Sequence, residues 1–182
     1  RALEVLDEVD STNNYCKKKA EEGAVEGYTA ATMKQVAGRG RRGRVWETPE
    51  DTNIAFSVLL RPELEPNDAS MITLIAALAV VGAVEELTGK SAQIKWPNDV
   101  IIGGRKVCGI LTELSLELSA INYVVVGIGI NVTNESMPED IRDHASSILI
   151  ETGVTVKKSE LLGRILNYFE QYYDRFLRDK DL

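Results

Sequence analysis

Histidine and cysteine are nearly missing from this chain of 182 residues, which has one histidine, His144, and two cysteines, Cys16 and Cys108. Two thiols cannot build a disulfide framework, so a reducing, cytoplasmic setting is expected. No histidine and cysteine cluster has zinc-ligand spacing. His144 lies in a polar stretch and is a poor candidate for a general base, while Cys108 sits in an apolar run as a small core residue would. Nucleophilic catalysis by a side chain is therefore poorly supported. Long apolar runs are absent too. The longest, Met71 to Leu87, is broken by Thr73, Gly82, Glu85 and Glu86, and reads as a buried helix rather than a membrane span. No signal peptide is visible. Positive charge is in deficit, with 28 acidic against 21 basic residues and a net charge of −7. That balance lacks the broad cationic face through which nucleic-acid binders release counterions. A Walker sequence and a complete dinucleotide fingerprint are also missing.

What is present is an ordinary globular composition, 44% hydrophobic and 27% charged, and a length suited to one domain. A strand is expected over Ala2–Val9, with Leu3, Val5 and Val9 as its apolar positions. Ser11, Thr12 and Asn13 offer capping chemistry for a helix over Thr12–Glu22. Tyr28–Val36 and Asn53–Leu60 read as strands, and Asn67–Thr88 as a long helix ended by Gly89. Ala92–Trp96 reads as a short buried strand stopped by Pro97. Val100–Ile102 and Lys106–Glu117 flank Gly103-Gly104, a hairpin signal. Asn122–Val132 is a near-continuous apolar strand. Ser159 is expected to cap a final helix with Leu162, Ile165, Leu166, Phe169, Tyr173 and Phe176 on one stripe. Strands joined by hairpins and interrupted by helices predict an α+β fold with a central, mixed β-sheet.

Against the acidic background stands Gly38-Arg39-Gly40-Arg41-Arg42-Gly43-Arg44-Val45-Trp46. Such a cluster repels itself unless an anion sits among the arginines. Its glycines let the backbone approach that anion, its guanidinium forks suit phosphate or carboxylate, and Trp46 offers a ring to cover a flat group. The competing reading is a solvated basic loop. A second segment, Lys95-Trp96-Pro97-Asn98-Asp99, places a lysine at a strand end. Either its stem packs and its amine reaches water, or it is a fixed cation for an anionic ligand. Asp99 then serves as a turn former, a partner for Lys95 or a metal ligand. A third segment, Gly127-Ile128-Gly129-Ile130-Asn131, puts glycine inside a strand, which marks close approach or a bulge. Electrostatic catalysis by arginines and a lysine around a phosphoryl centre is the chemistry these residues permit.

These blocks, together with Asp10-Ser11-Thr12-Asn13, Gln35-Val36-Ala37 and Arg105-Lys106-Val107-Cys108-Gly109-Ile110-Leu111, resemble the catalytic domain of biotin protein ligases in order and spacing. The resemblance covers nearly the whole chain, 1–182. It implies a sheet with helices packed mainly on one side, as in class II aminoacyl-tRNA synthetases. It implies ATP and Mg²⁺, with biotin as substrate, forming biotinyl-5′-adenylate that is then passed to a lysine of a biotin carboxyl carrier domain. Lys95 and Arg41 are implied as catalytic. Ser11, Thr12, Asn13, Gln35, Gly38, Arg39, Gly40, Arg41, Lys95, Gly127 and Gly129 are implied for biotin, and Arg41, Arg44, Trp46 and Asn131 for the adenylate. The metal ligands are not identified, and Asp99 and Glu113 are guesses. Family members usually carry a small β-barrel after this domain, and some an N-terminal winged helix that represses biotin genes. Neither is in this sequence, so a fragment is the expectation, with DNA as a partner only if such an upstream domain exists. Two rival functions are a biotin-sensing repressor that uses the adenylate as corepressor, and a lipoate ligase. A homodimer through a sheet edge is left open, and no membrane partner is expected.

Overall fold

The computed structural model describes residues 2–48 and 51–179, so the ends of the expected domain, Arg1 and Leu182, lie outside the described residues. Its strands are β1 Leu3–Leu6, β2 Thr29–Thr32, β3 Asn53–Leu60, β4 Gln93–Lys95, β5 Asp99–Ile102, β6 Arg105–Glu117 and β7 Ala120–Asn131. Its α-helices are α1 Thr12–Glu21, α2 Ala69–Thr88, α3 Ile148–Thr152 and α4 Lys158–Asp179. The strands form a seven-stranded sheet in the order β1-β2-β3-β7-β6-β5-β4. The β1–β2 pair is parallel, while β2–β3, β4–β5 and β5–β6 are antiparallel, which makes the sheet mixed as expected. The chain divides into two compact units. One holds the residues up to Thr73 with Ile110–Gly129, and the other holds Leu74–Gly109 with the chain from Ile130 onward.

In the first unit, α1 buries Thr12, Asn13, Cys16 and Ala20, a single stripe at helical spacing, and leaves Lys18 exposed. Cys16 and Ala20 enter a core with Ala30, Leu59, Tyr123 and Val125. Removing a side chain such as Leu59 from water stabilises the fold by roughly 2 kcal/mol. Two expectations fail here, both for reasons of tertiary context. In β1, Leu3 and Val5 are exposed, and the intervening Glu4 and Leu6 are half-buried. The edge strand turns Glu4 inward because the hydroxyls of Tyr15 and Tyr28 both donate to its carboxylate. At α1, Ser11 occupies the N-cap position, yet its side chain makes no capping bond; the cap comes from a distant glutamine.

In the second unit, Gly82 of α2 lies against the ring of Tyr168 on α4, 3.5 Å from where a β-carbon would stand, and Arg164 reaches Glu86 at 3.1 Å. Ile75, Ala76, Ala79, Val80, Ala83 and Val84 of α2 are fully enclosed, as expected for a core helix. The hairpin between β5 and β6 turns on Gly103 (φ 58°) and Gly104 (φ 84°), the left-handed pair that a two-residue turn demands. The short α3 had no sequence expectation. Ser147 Oγ accepts from Ile150 N–H at its start and Gly153 (φ 71°) ends it. Helix α4 buries Leu161, Leu162, Ile165, Phe169, Tyr173 and Phe176. It begins one residue before Ser159, with the Leu161 N–H bonded to the Lys157 carbonyl, so Ser159 is inside the helix and does not cap it. β4 is the sheet's last strand, not a buried one: Lys95 and Trp96 are both exposed. An edge strand has one unpaired side, which is why its lysine reaches solvent.

Candidate active site

The site in the first unit starts where residues 34–37 run beside 9–10. The Val36 N–H bonds the Val9 carbonyl and the Ala37 N–H bonds the Asp10 carbonyl, both at 2.9 Å. This register delivers Gln35 to the start of α1, where its Oε1 accepts from the Thr12 N–H at 2.9 Å. A glutamine from another segment thus satisfies a helix-end N–H that has no intrahelical partner. Gln35 Nε2 is held in turn by Thr48 Oγ1 at 3.2 Å.

Below Gln35 lies a buried polar network. Ser57 Oγ is 2.7 Å from Thr12 Oγ1 and donates to Asn13 Oδ1 at 2.6 Å. Asn13 Nδ2 donates to the Leu111 carbonyl at 3.2 Å and to Glu113 Oε2 at 2.8 Å. Ser11, Thr12, Asn13 and Ser57 are all at most 3% exposed. Polar side chains gathered at such depth cost stability unless paired, and once paired they give a rigid set of donors and acceptors. Ser57 had no place among the expected site residues. Its signal was a lone hydroxyl in the otherwise apolar run after Asn53.

Glu113 is the hub of the charges. Lys17 Nζ donates to Oε1 at 2.7 Å, and Arg39 donates to Oε1 at 2.9 Å and to Oε2 at 3.2 Å. Burial pushes the Glu113 carboxyl up, but the bonds from Lys17 and Asn13 and the charges of Lys17 and Arg39 outweigh it and hold the group below the usual 4.5. Arg39 also reaches Asn14 Oδ1 at 2.9 Å.

The Arg/Gly segment is a small hairpin closed on itself. The Trp46 N–H bonds the Gly38 carbonyl at 3.0 Å and the Gly40 N–H bonds the Arg44 carbonyl at 2.8 Å, with Arg39 bridged to Val45. A 3-10 turn over Arg41–Gly43 forms its tip, where Arg42 takes φ 57°. Arg41, Arg42 and Arg44 are exposed there. Three of the glycines serve protein contacts rather than open space. A β-carbon on Gly38 would stand 2.1 Å from the Trp46 carbonyl oxygen; one on Gly127 would stand 2.1 Å from Asn13 Oδ1; one on Gly129 would stand 2.4 Å from Trp46 Nε1. Close approach was the expectation for Gly127 and Gly129, and the side chains that approach are Asn13 and Trp46.

The structure therefore brings Thr12, Asn13, Gln35, Gly38, Arg39, Gly40, Trp46, Gly127 and Gly129 into one constellation, with Ser11 at its helix end. Lys95 and Asn131 belong to the second unit. Lys95 ends β4 and pairs in register with Asp99; Asn131 ends β7 and its Nδ2 donates to the Ser146 carbonyl at 2.9 Å. The two guessed metal ligands are already engaged by cations, Asp99 by Lys106 at 2.8 Å and Glu113 by Lys17 and Arg39. Among the described residues no group of three His, Cys, Asp or Glu side chains can hold a metal ion. The described donors thus do not fit a protein-built Mg²⁺ cage. Burial pushes the Cys16 thiol up to about 12 and the Cys108 thiol higher still, so neither is a thiolate near neutrality. His144 is exposed.

Residues 5–131 match the model of the biotin/lipoate A/B protein ligase family. Over 173 residues the chain is 38% identical to the bifunctional ligase/repressor BirA of Bacillus spizizenii, covering 94% of this chain and 53% of that protein. It is 36% identical to the biotin–[acetyl-CoA-carboxylase] ligase of Paracoccus denitrificans, covering 92% of this chain and 71% of that one. Among solved structures, the biotin protein ligase of Aquifex aeolicus in complex with biotin and ATP superposes with a TM-score of 0.86 at 34% identity, over 98% of this chain and 73% of that one. The chain spans about half the length of the BirA proteins it matches.

Proposed function

The chain belongs to the biotin/lipoate A/B protein ligase family, and from that premise we propose that it is the catalytic domain of a biotin protein ligase. A carboxylate oxygen of biotin attacks the α-phosphorus of ATP, the bond to the β-phosphate breaks, and biotinyl-5′-adenylate and pyrophosphate result. The amine of a carrier-domain lysine then attacks the activated carbonyl and AMP leaves. The observation that carries this reading is the buried network of Thr12, Asn13, Gln35 and Ser57 at the foot of a loop bearing four arginines. An amide- and hydroxyl-lined floor suits a polar, uncharged head such as biotin's ureido ring. Ser11, whose hydroxyl is not used as a cap, adds to that floor. Arg39, Arg41 and Arg44 offset the repulsion of two anions and the charge that develops at phosphorus, and the resemblance alone implies Lys95 for the same chemistry. Trp46 and Asn131 are assigned to the adenylate, and Gly38, Gly40, Gly127 and Gly129 give the backbone its shape. Both thiols are buried and held protonated, so neither serves as the acyl carrier, and the acyl group passes from the bound, noncovalent adenylate.

The Arg/Gly hairpin, exposed at its tip, closes over the adenylate and keeps water from it. The test of the function is biotin-dependent release of pyrophosphate from ATP, with mass analysis of what stays bound. Retained biotinyl-5′-adenylate supports the reading, and equal exchange with lipoate in place of biotin overturns its substrate. The BirA relatives, named as ligase/repressors, favour a second role in which the adenylate-loaded domain serves repression. Adenylate-dependent operator binding by the full protein tests that role. Carrier, DNA and any partner subunit belong to the whole protein and are proposed at that level.

A further inference from the structure

We propose that Glu113 is a positioning residue that aims Arg39 and so ties the root of the Arg/Gly loop to the floor of the site. The inference rests on the ligase reading for its kinetic arm only. One carboxylate on β6 holds three side chains from two other parts of the chain: Lys17 and Asn13 on α1, and Arg39 at the start of the loop. Arg39 meets it through two N–H donors, the paired geometry that fixes direction as well as distance. The Glu113 side chain is only 18% exposed, so water competes weakly for those bonds, whereas Arg39 is 42% exposed and has room to swing once released. The charges leave a surplus. One carboxylate faces two cations, so the cluster stays positive while its arginine is fixed. Glu113 thus orients a cation without cancelling the field an anionic substrate meets. Its bond to Asn13 couples the same anchor to the buried polar floor, because Asn13 also takes the Ser57 hydroxyl.

The test uses trypsin, for which the loop offers Arg39, Arg41, Arg42 and Arg44, and the full chain without ligands. In Glu113→Gln, cleavage within the loop is expected to rise about tenfold, the size of one lost bond to a charged group. Lys17→Met, which leaves the Arg39 fork in place, changes that rate by less than about twofold. With biotin and ATP, Glu113→Gln raises the KM for biotin about tenfold and leaves the KM for ATP nearly unchanged, whereas a merely structural loss lowers kcat and both affinities together. In an Arg39→Met background, Glu113→Gln adds less than about twofold to either rate, because it acts through Arg39. Loop cleavage that is unchanged in Glu113→Gln, or an effect that persists undiminished in the Arg39→Met background, overturns the proposal. Should Glu113→Gln lose its near-UV dichroism, Arg39→Met alone decides, since cleavage after Arg41 to Arg44 must then rise in it. A wild-type chain that cleaves as expected but shows no biotin activation refutes the ligase reading and leaves the anchor standing.

Discussion

Replacing Gly127 by alanine should unfold the floor of the site from one carbon atom. The added β-carbon would stand 2.1 Å from Asn13 Oδ1, 2.8 Å from its Cγ and 3.1 Å from its Nδ2. A flexible side chain would step aside, but this one is pinned. Its Oδ1 takes the Ser57 hydroxyl at 2.6 Å, and its Nδ2 holds the Leu111 carbonyl and Glu113 at 3.2 and 2.8 Å. Moving it breaks bonds in a buried place, each worth about 1 kcal/mol and more when a partner is left unpaired. Overpacking adds about 1 to 3 kcal/mol. The sum is about 3 kcal/mol or more, a large part of the roughly 5 to 15 kcal/mol that holds a domain folded. In urea, with a slope of about 2 kcal/mol per molar, the midpoint should fall by about 1.5 M. The control is the same change in an Asn13→Ala background. There the obstructing amide is gone, and an alanine in a strand is no worse than glycine, so the cost drops below about 1 kcal/mol. An equal loss in both backgrounds, or a loss under about 1 kcal/mol in the native one, would refute the steric reasoning.

Gly38→Ala should separate the hairpin strands, because the new carbon meets the Trp46 carbonyl oxygen, which is backbone and cannot rotate away; faster tryptic cleavage of the loop, with little change in global unfolding, is the expected readout. Gln35→Leu removes the acceptor from the Thr12 N–H and should cost about 1 kcal/mol in thermal unfolding, whereas Gln35→Glu keeps an acceptor beside a helix N-terminus and should restore most of it. Ionised Glu113 should stabilise the native state fully above the usual 4.5, and that contribution should be lost as the pH falls through its lowered native value; acid unfolding of Glu113→Gln should show less of this dependence. The cysteines act at the other end: unfolded thiols ionise near 9.0 while buried Cys16 stays protonated to about 12, so stability should fall as pH rises from 9.0, and neither thiol should react with a maleimide at neutral pH before unfolding. Rapid labelling of the folded chain would contradict that burial.

Much of the architecture was legible in periodicity and turn chemistry. Strand β3 matches its expected limits at both ends, and Gly103-Gly104 turns the hairpin that its residues announced. The failures share a cause. Alternation in β1 picked out Leu3 and Val5 as its apolar positions, yet both are exposed, and two tyrosines from other segments bond Glu4 between them. A serine before α1 suggested its cap, and the cap arrived from Gln35, 23 residues further on. Local rules rank what neighbours in sequence offer one another, and they say nothing about a better partner that folding brings in.

The same division runs through the site. The sequence by itself carried the arginine-rich loop in an acidic chain, the scarcity of histidine and cysteine, the interior glycines and the blocks that resemble the biotin protein ligases, because these depend only on which residues are present and in what order. Only the tertiary structure decided which groups meet. Asn13 lies beside Gly127, Trp46 against Gly129, and Arg39 is gripped by Glu113, 74 residues away. That last pairing turned a guessed metal ligand into an anchor. A carboxylate's role is set by the charges that surround it in space, and strand register and helix placement fix those charges after the chain has folded.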